Sequence, residues 1–253
     1  MTTHAVADTA TLTGRSLRHI LRSPDTIVTT AVMPIAFLLL FTFVLGGAID
    51  VGDAAYVDYL LPGILLITVA SGIAYTSYRL FLDLQGGIVE RFQTMPIARS
   101  SVLWAHVLTS IVANLVSLAV VVGAALLMGF RSSASVLEWL AVVGILVLFT
   151  LALTWVAVIA GLSARSVDGA SAFSYPLILL PFVSSAFVPT ESMPGPVRWF
   201  AEHQPVTSIV DSIRALLAGD AVGSELWIAL AWMVGILAVA AVVATVLYRR
   251  RVR

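Results

Sequence analysis

The sequence contains no lysine; all 14 basic residues among its 253 are arginines. A Walker A phosphate loop, G-x-x-x-x-G-K-[ST], depends on the lysine that reaches the β- and γ-phosphates. This chain cannot carry one, so any ATP hydrolysis it depends on must occur in another chain. Cysteine is absent as well, which excludes disulfides, thiolate metal sites and thiol redox chemistry. Charge is scarce: 11% of residues are charged, where a soluble domain carries roughly 25%. There is no G-x-S-x-G or H-E-x-x-H motif of the kind that marks a hydrolase nucleophile or a zinc site. The four histidines (His4, His19, His106 and His203) fall at termini, span edges or loops. Neither an enzyme nor a metal site is expected.

What is present is apolar. Hydrophobic residues make up 60% of the chain, and the mean hydropathy is +1.02. A surface of that composition would associate in water, so the chain reads as an all-α integral membrane protein. Six stretches have the ~20 apolar residues needed to cross a bilayer: 27–48, 59–80, 102–128, 136–161, 169–188 and 226–247. The expected organisation is one transmembrane domain over 1–253, with no nucleotide-binding domain. Prolines at 34, 62, 176 and 181 fall inside these stretches. Membrane helices tolerate them where neighbouring helices and hydroxyls satisfy the freed carbonyls. The fifth stretch, FSYPLILLPFVSSAFVP, is the most interrupted.

Arginine placement sets the orientation. With the N-terminus inside and six crossings, 11 arginines lie inside. Only Arg131, Arg198 and Arg214 lie outside. Both termini are then cytoplasmic, and a multi-pass protein of the plasma membrane is expected. The first 26 residues lack an apolar core of signal-peptide length, so no cleavable leader is expected. Span centres free of charge argue against a secondary transporter, which usually carries its coupling ions on ionisable groups near the midplane. Nothing in the chain calls for a nucleic-acid partner.

Three segments outside the spans carry pattern. Near 11–23, Leu17, Ile20 and Leu21 share one helical face, and Arg15, Arg18 and Arg22 share another. That suits a helix lying in the headgroup layer against membrane lipid. Between the second and third spans, Leu84, Ile88, Phe92 and Met95 repeat at helical spacing, and Pro96 stops the run because the residue before a proline avoids helical angles. Beyond the fifth span, Val206, Ile209, Val210, Ile213, Leu216 and Leu217 mark an amphipathic helix. Pro205 suits its start and Gly219 its end. This helix is too short to cross alone and is expected to be re-entrant or to cap the outer leaflet.

The stretch GIVERFQTMPIARSSVLWAHVLTSI resembles the loop and third span of type-2 ABC exporter permeases. Glu90, Arg91, Pro96 and Arg99 match that pattern. The segment FVPTESMPGPVRWFAEHQPVTSIVDSIRALLAG is similar to its counterpart in the daunorubicin-resistance branch, the drug-exporter membrane subunits of actinobacteria. The resemblance covers essentially the whole chain. It implies a non-catalytic half-transporter that pairs as a homodimer, with an ABC ATP-binding subunit serving each copy. ATP and Mg would be held by that partner and no cofactor by this chain.

The resemblance also implies a coupling helix after the second span, seated on the ATPase. It would comprise Leu84, Ile88, Glu90, Arg91, Phe92, Met95, Pro96 and Arg99. Substrate would be handled between the two copies. Candidate lining residues are Phe37, Phe41, Phe43, Tyr75, Phe173, Tyr175 and Phe182, because aromatics give broad contact to planar or amphipathic molecules. Asn114 is the chain's only asparagine and lies mid-span; it is a further candidate, although a hydrogen bond between helices is its commoner use. The implied function is outward movement of a drug-like or lipid-like amphiphile. A flippase for a lipid or cell-envelope precursor is the alternative within the same resemblance.

Overall fold

The computed structural model describes residues 13–14, 24–47, 55–86 and 99–251, with the backbone alone for 24–30, 99–102 and 251. The described chain is helical in nearly every segment. Helix α1, Pro24–Leu39, keeps Pro34 inside it and passes directly into a π turn over Leu40–Leu45. Helix α2, Tyr56–Gln85, has 30 residues and a length of about 45 Å at 1.5 Å per residue. It exceeds the expected 59–80 at both ends. Leu84, expected on a separate connecting helix, is therefore in the last turn of α2. Helix α3 is Arg99–Leu127 and α4 is Val136–Ser163.

The start of α4 is fixed by a capping box. Ser135 Oγ accepts from the Glu138 N–H, and the Ser135 N–H donates to Glu138 Oε2 at 2.6 Å. Two donors that would be orphaned at the helix end are satisfied reciprocally.

The expected fifth span, 169–188, is not one helix. It divides into α5 (Val167–Ala172), α6 (Ser174–Leu179) and a 3₁₀ turn over Leu180–Val183. Pro181 has no N–H to continue the ladder, and side chains take up the carbonyls left over. Ser174 Oγ donates to Ser171 O at 2.8 Å, Ser184 Oγ to Pro181 O at 2.6 Å, and Gln204 Nε2 to Val183 O at 2.7 Å.

The segment that follows holds two helices where the sequence suggested one: α7 (Gly195–His203) and α8 (Pro205–Ala218). Gly219, at φ +74°, ends α8 in the left-handed region. The Asp220 N–H reaches back to Ala215 O at 2.9 Å, the wider bond of a Schellman closure. Helix α9, Glu225–Arg251, completes the chain.

Helix α2 is the centre of the bundle. Every residue from Leu60 to Ala70 is buried, and α3, α4 and α1 pack around it. Helix α8 is buried among α9, α4 and α2, with Ile209, Val210 and Ile213 at most 1% exposed. It is a packed element, and the apolar surface facing outward in this region belongs to α7, where Trp199 and Phe200 are exposed. Among the described residues, four helices are long and apolar enough to cross a membrane: Tyr56–Gln85, Leu103–Leu127, Val136–Ser163 and Glu225–Arg250. Two shorter apolar stretches, Ala31–Leu45 and Val167–Val183, accompany them.

Candidate functional site

The bundle has a lower end, where α2 finishes and α3 begins, and an upper end, where α2 starts and α8 finishes. Most of the predicted coupling surface, including Ile88, Glu90, Arg91, Phe92, Met95 and Pro96, lies outside the described residues. Leu84 is half-buried against the apolar cluster of Leu80, Leu103, Trp155 and Val158. Arg99 is the first residue of α3. Between these flanks His106 Nε2 meets Asp83 Oδ2 at 3.2 Å, with the two side chains 14% and 26% exposed. This pair ties the end of α2 to the start of α3 beneath the connecting segment. From sequence alone His106 reads as an interfacial residue at a span edge, and nothing in the spacing singles out Asp83.

Of the eight candidate route residues, three come together. Phe37 of α1 and Phe41 of the π turn meet Phe182 of the 3₁₀ turn at ring distances of 5.5 and 6.1 Å. A fourth ring, Phe187, stacks on both Phe41 and Phe182 at 4.7 Å. Sequence reasoning misses it because it sits beyond Pro181 in the interrupted fifth stretch, where spacing gives no face. The cluster adjoins the π turn of α1, a backbone form that is rare and concentrated at functional sites. Phe43 and Tyr175 point away and are 69% and 64% exposed. Phe173 packs against the main apolar cluster without a ring contact among the described residues. Tyr75 lies elsewhere, under the Arg79 guanidinium at 5.8 Å.

Asn114 is 2% exposed and belongs to a polar knot between α2, α3 and α4. Thr76 Oγ1 donates to Ser110 Oγ at 2.9 Å, and Ser110 Oγ shares a hydrogen bond with Thr154 Oγ1 at 3.1 Å. Asn114 Nδ2 donates to Ser110 O at 2.9 Å, while its Oδ1 has no hydrogen-bond partner among the described residues. That oxygen occupies the space a Cβ on Gly72 would need, so the two helices touch backbone to side chain. Hydroxyls and small residues at a crossing are the usual means of joining helices in lipid.

The upper end is closed by a denser network. Arg214 of α8 is held on every nitrogen. Nη1 meets Asp211 Oδ1 at 2.6 Å, Nη2 donates to Ser185 O at 2.7 Å, and Nε and Nη2 both reach Tyr59 O at 3.2 Å. Its guanidinium carbon also lies 3.9 Å from the centre of the Tyr59 ring. Ser185 Oγ donates to Asp211 Oδ1, Tyr59 OH to Ser185 O, and Tyr56 OH to Phe187 O. The segment Ser184–Phe187 is thereby strapped to α2 and α8, directly above the aromatic cluster. Gly63 leaves just enough room for Ala186 against α2.

Comparison with known proteins identifies a family and several relatives. The family described as "ABC-2 type transporter" matches residues 8–218. "Daunorubicin resistance ABC transporter permease protein DrrB1" of Streptomyces coeruleorubidus is 29% identical over 251 residues, covering 98% of this chain and 88% of that protein. "Probable doxorubicin resistance ABC transporter permease protein DrrC", from two strains of Mycobacterium tuberculosis, is 27% identical over 246 residues. That match covers 97% of this chain and 89% of the relative.

Proposed function

Because the chain belongs to the ABC-2 type transporter family, and so is a membrane permease subunit whose ATP-binding partner is a separate chain, we propose that it exports an amphipathic, drug-like or lipid-like substrate. Two copies pair, each served by one ATP-binding subunit that holds ATP and Mg. The four long helices and the two shorter apolar stretches together make six crossings, with both termini in the cytoplasm. On this reading the lower end is cytoplasmic and the upper end faces outward. The arginine asymmetry of 11 inside against 3 outside supports that orientation.

Residues 84–99 form the coupling segment, in which Glu90 and Arg91 make the polar contacts with the ATPase. The His106–Asp83 pair at its base gives it a firm footing, so a push on the segment is passed to α2 and α3 together. Movement of those helices displaces the strap at Ser184–Phe187 and the aromatic cluster beneath it. Phe37, Phe41, Phe182 and Phe187 then line the last part of the route. The lipid-like substrate and the drug-like one share this path, because both need apolar rings and neither needs a charge at depth.

The observation that carries the reading is the family match across 8–218, which takes in the coupling segment, the strap and the aromatic cluster. Its test is ATP-dependent uptake of a fluorescent amphiphile into inside-out vesicles containing the permease and its ATP-binding subunit. Glu90→Arg, which reverses one charge on the coupling segment, is expected to reduce uptake at least tenfold with normal membrane insertion. Wild-type uptake by that variant would remove Glu90 from the coupling role.

A further inference from the structure

A second site, separate from the aromatic route, lies at the upper end. A cavity of about 530 Å³ opens between the start of α2, the loop joining α3 to α4, and the last turns of α8. That volume falls in the range of small-molecule pockets, roughly 300–1,000 Å³. Its accessible apolar lining is Tyr59, Ala215 and Ala218, backed by the covered side chains of Phe130 and Leu217. Five charged residues line it: Asp58, Arg131, Asp211, Arg214 and Asp220. Formally they sum to minus one, and their hydrogen bonds decide how that charge is presented.

Arg214 and Asp211 are engaged with each other and with the strap, so they form a neutral wall. Asp58 is pre-set: the Arg131 N–H donates to its Oδ1 at 3.1 Å, which holds the carboxylate in place. Asp220 makes no side-chain hydrogen bond or ion pair among the described residues. The Arg131 guanidinium donates to Phe130 O at 3.2 Å and pairs with no carboxylate among the described residues. The remaining binding capacity is therefore two carboxylates over this apolar lining, with one cation at the side. An apolar body with an ammonium group fits that arrangement, since a carboxylate that accepts from a cation makes the stronger kind of hydrogen bond.

We propose that this cavity binds an amine-bearing amphiphile, with the ammonium between Asp58 and Asp220, the apolar part against Tyr59, Ala215 and Ala218, and Arg131 placed for an acceptor or anion beside the amine. Two sources share that chemistry, an aminophospholipid headgroup and a soluble amphiphilic amine. The site does not depend on the export reading, because binding needs neither the ATPase nor transport.

The test uses the full chain in phosphatidylcholine nanodiscs and a dansylated primary amine, dansylcadaverine, read by energy transfer from tryptophan. Its N-acetylated, uncharged counterpart is the control for partition into lipid. The amine is expected to bind at least tenfold more tightly than the acetylated probe. Asp58→Asn/Asp220→Asn should lose at least tenfold, since both substitutions keep the shape and the carboxamide oxygen at position 58 could still accept from the Arg131 N–H. Arg131→Gln removes a like charge and should tighten the amine severalfold, a change that neither misfolding nor partition produces. Equal binding of the two probes would overturn the proposal, as would an unchanged Kd in both the aspartate double variant and Arg131→Gln. Replacing part of the phosphatidylcholine with phosphatidylethanolamine then separates the sources. Competition identifies the occupant as lipid, and unchanged binding identifies it as a soluble amine; either supports the site.

Discussion

Single residues decide whether the helices can approach one another. Gly72 is the clearest case, because the Asn114 carboxamide fills the space where any side chain would begin. Gly72→Ala must push α3 away or break the knot around Ser110. Overpacking of this kind costs about 1–3 kcal/mol, and a thermal unfolding scan in detergent should show a lower Tm than wild type. Asn114→Ala should be milder. It removes a hydrogen bond and also an acceptor that already lacks a partner among the described residues. The order of the two variants is the check: if Asn114→Ala is the more damaging, the knot matters more than the close approach.

Arg214 acts at the same scale on the upper closure. The chain has no cysteine, so a single Val188→Cys substitution, at the half-buried end of the strap and away from the tight Ala186–Gly63 contact, reports on the strap without background. Arg214→Gln in that setting should raise labelling by a membrane-impermeant maleimide severalfold, because the bonds to Ser185 O and Tyr59 O are lost together. Labelling as slow as in the parent would mean that the strap is held by Gly63 packing and the tyrosines alone.

At the scale of elements, helix ends are legible where local chemistry sets them. Pro205 and Gly219 bracket α8 as read from the sequence, and the S-x-x-E box starts α4 at Val136. Gly219→Ala should destabilise α8 by about 1–2 kcal/mol, since a side chain in the left-handed region meets the following carbonyl. A chemical-denaturation curve of the reconstituted protein measures it, and a shift indistinguishable from zero would mean that the turn can relax. Less legible is the fifth stretch. Hydropathy sees its apolar residues but not that Pro181 would end the ladder in a 3₁₀ turn, with Gln204 supplying the missing donor from 21 residues away. Helix α8 reads from its amphipathic pattern as a re-entrant or leaflet-capping element, and α9, α4 and α2 cover it. An apolar face does not say whether lipid or protein will meet it. The upper network is invisible for the same reason, because Tyr59, Ser185 and Arg214 are joined across separations of up to 155 residues.

For the whole molecule, the reading is of a lever. At the lower end α2 and α3 are joined by His106–Asp83. Three central helices are joined by a hydroxyl knot, and the upper end is closed by a strap over an aromatic cluster. The absence of lysine excludes a Walker A loop from this chain, and the family match implies an ATP-binding partner subunit. The account therefore stands or falls on that partner. The direct measurement is to tag this chain, purify it gently from its native membranes and identify what accompanies it in stoichiometric amount. The account predicts an ATP-binding subunit, one per copy of this chain, that is lost in Glu90→Arg/Arg91→Glu while the permease itself remains intact. A preparation in which no ATP-binding protein accompanies the wild-type chain would contradict it.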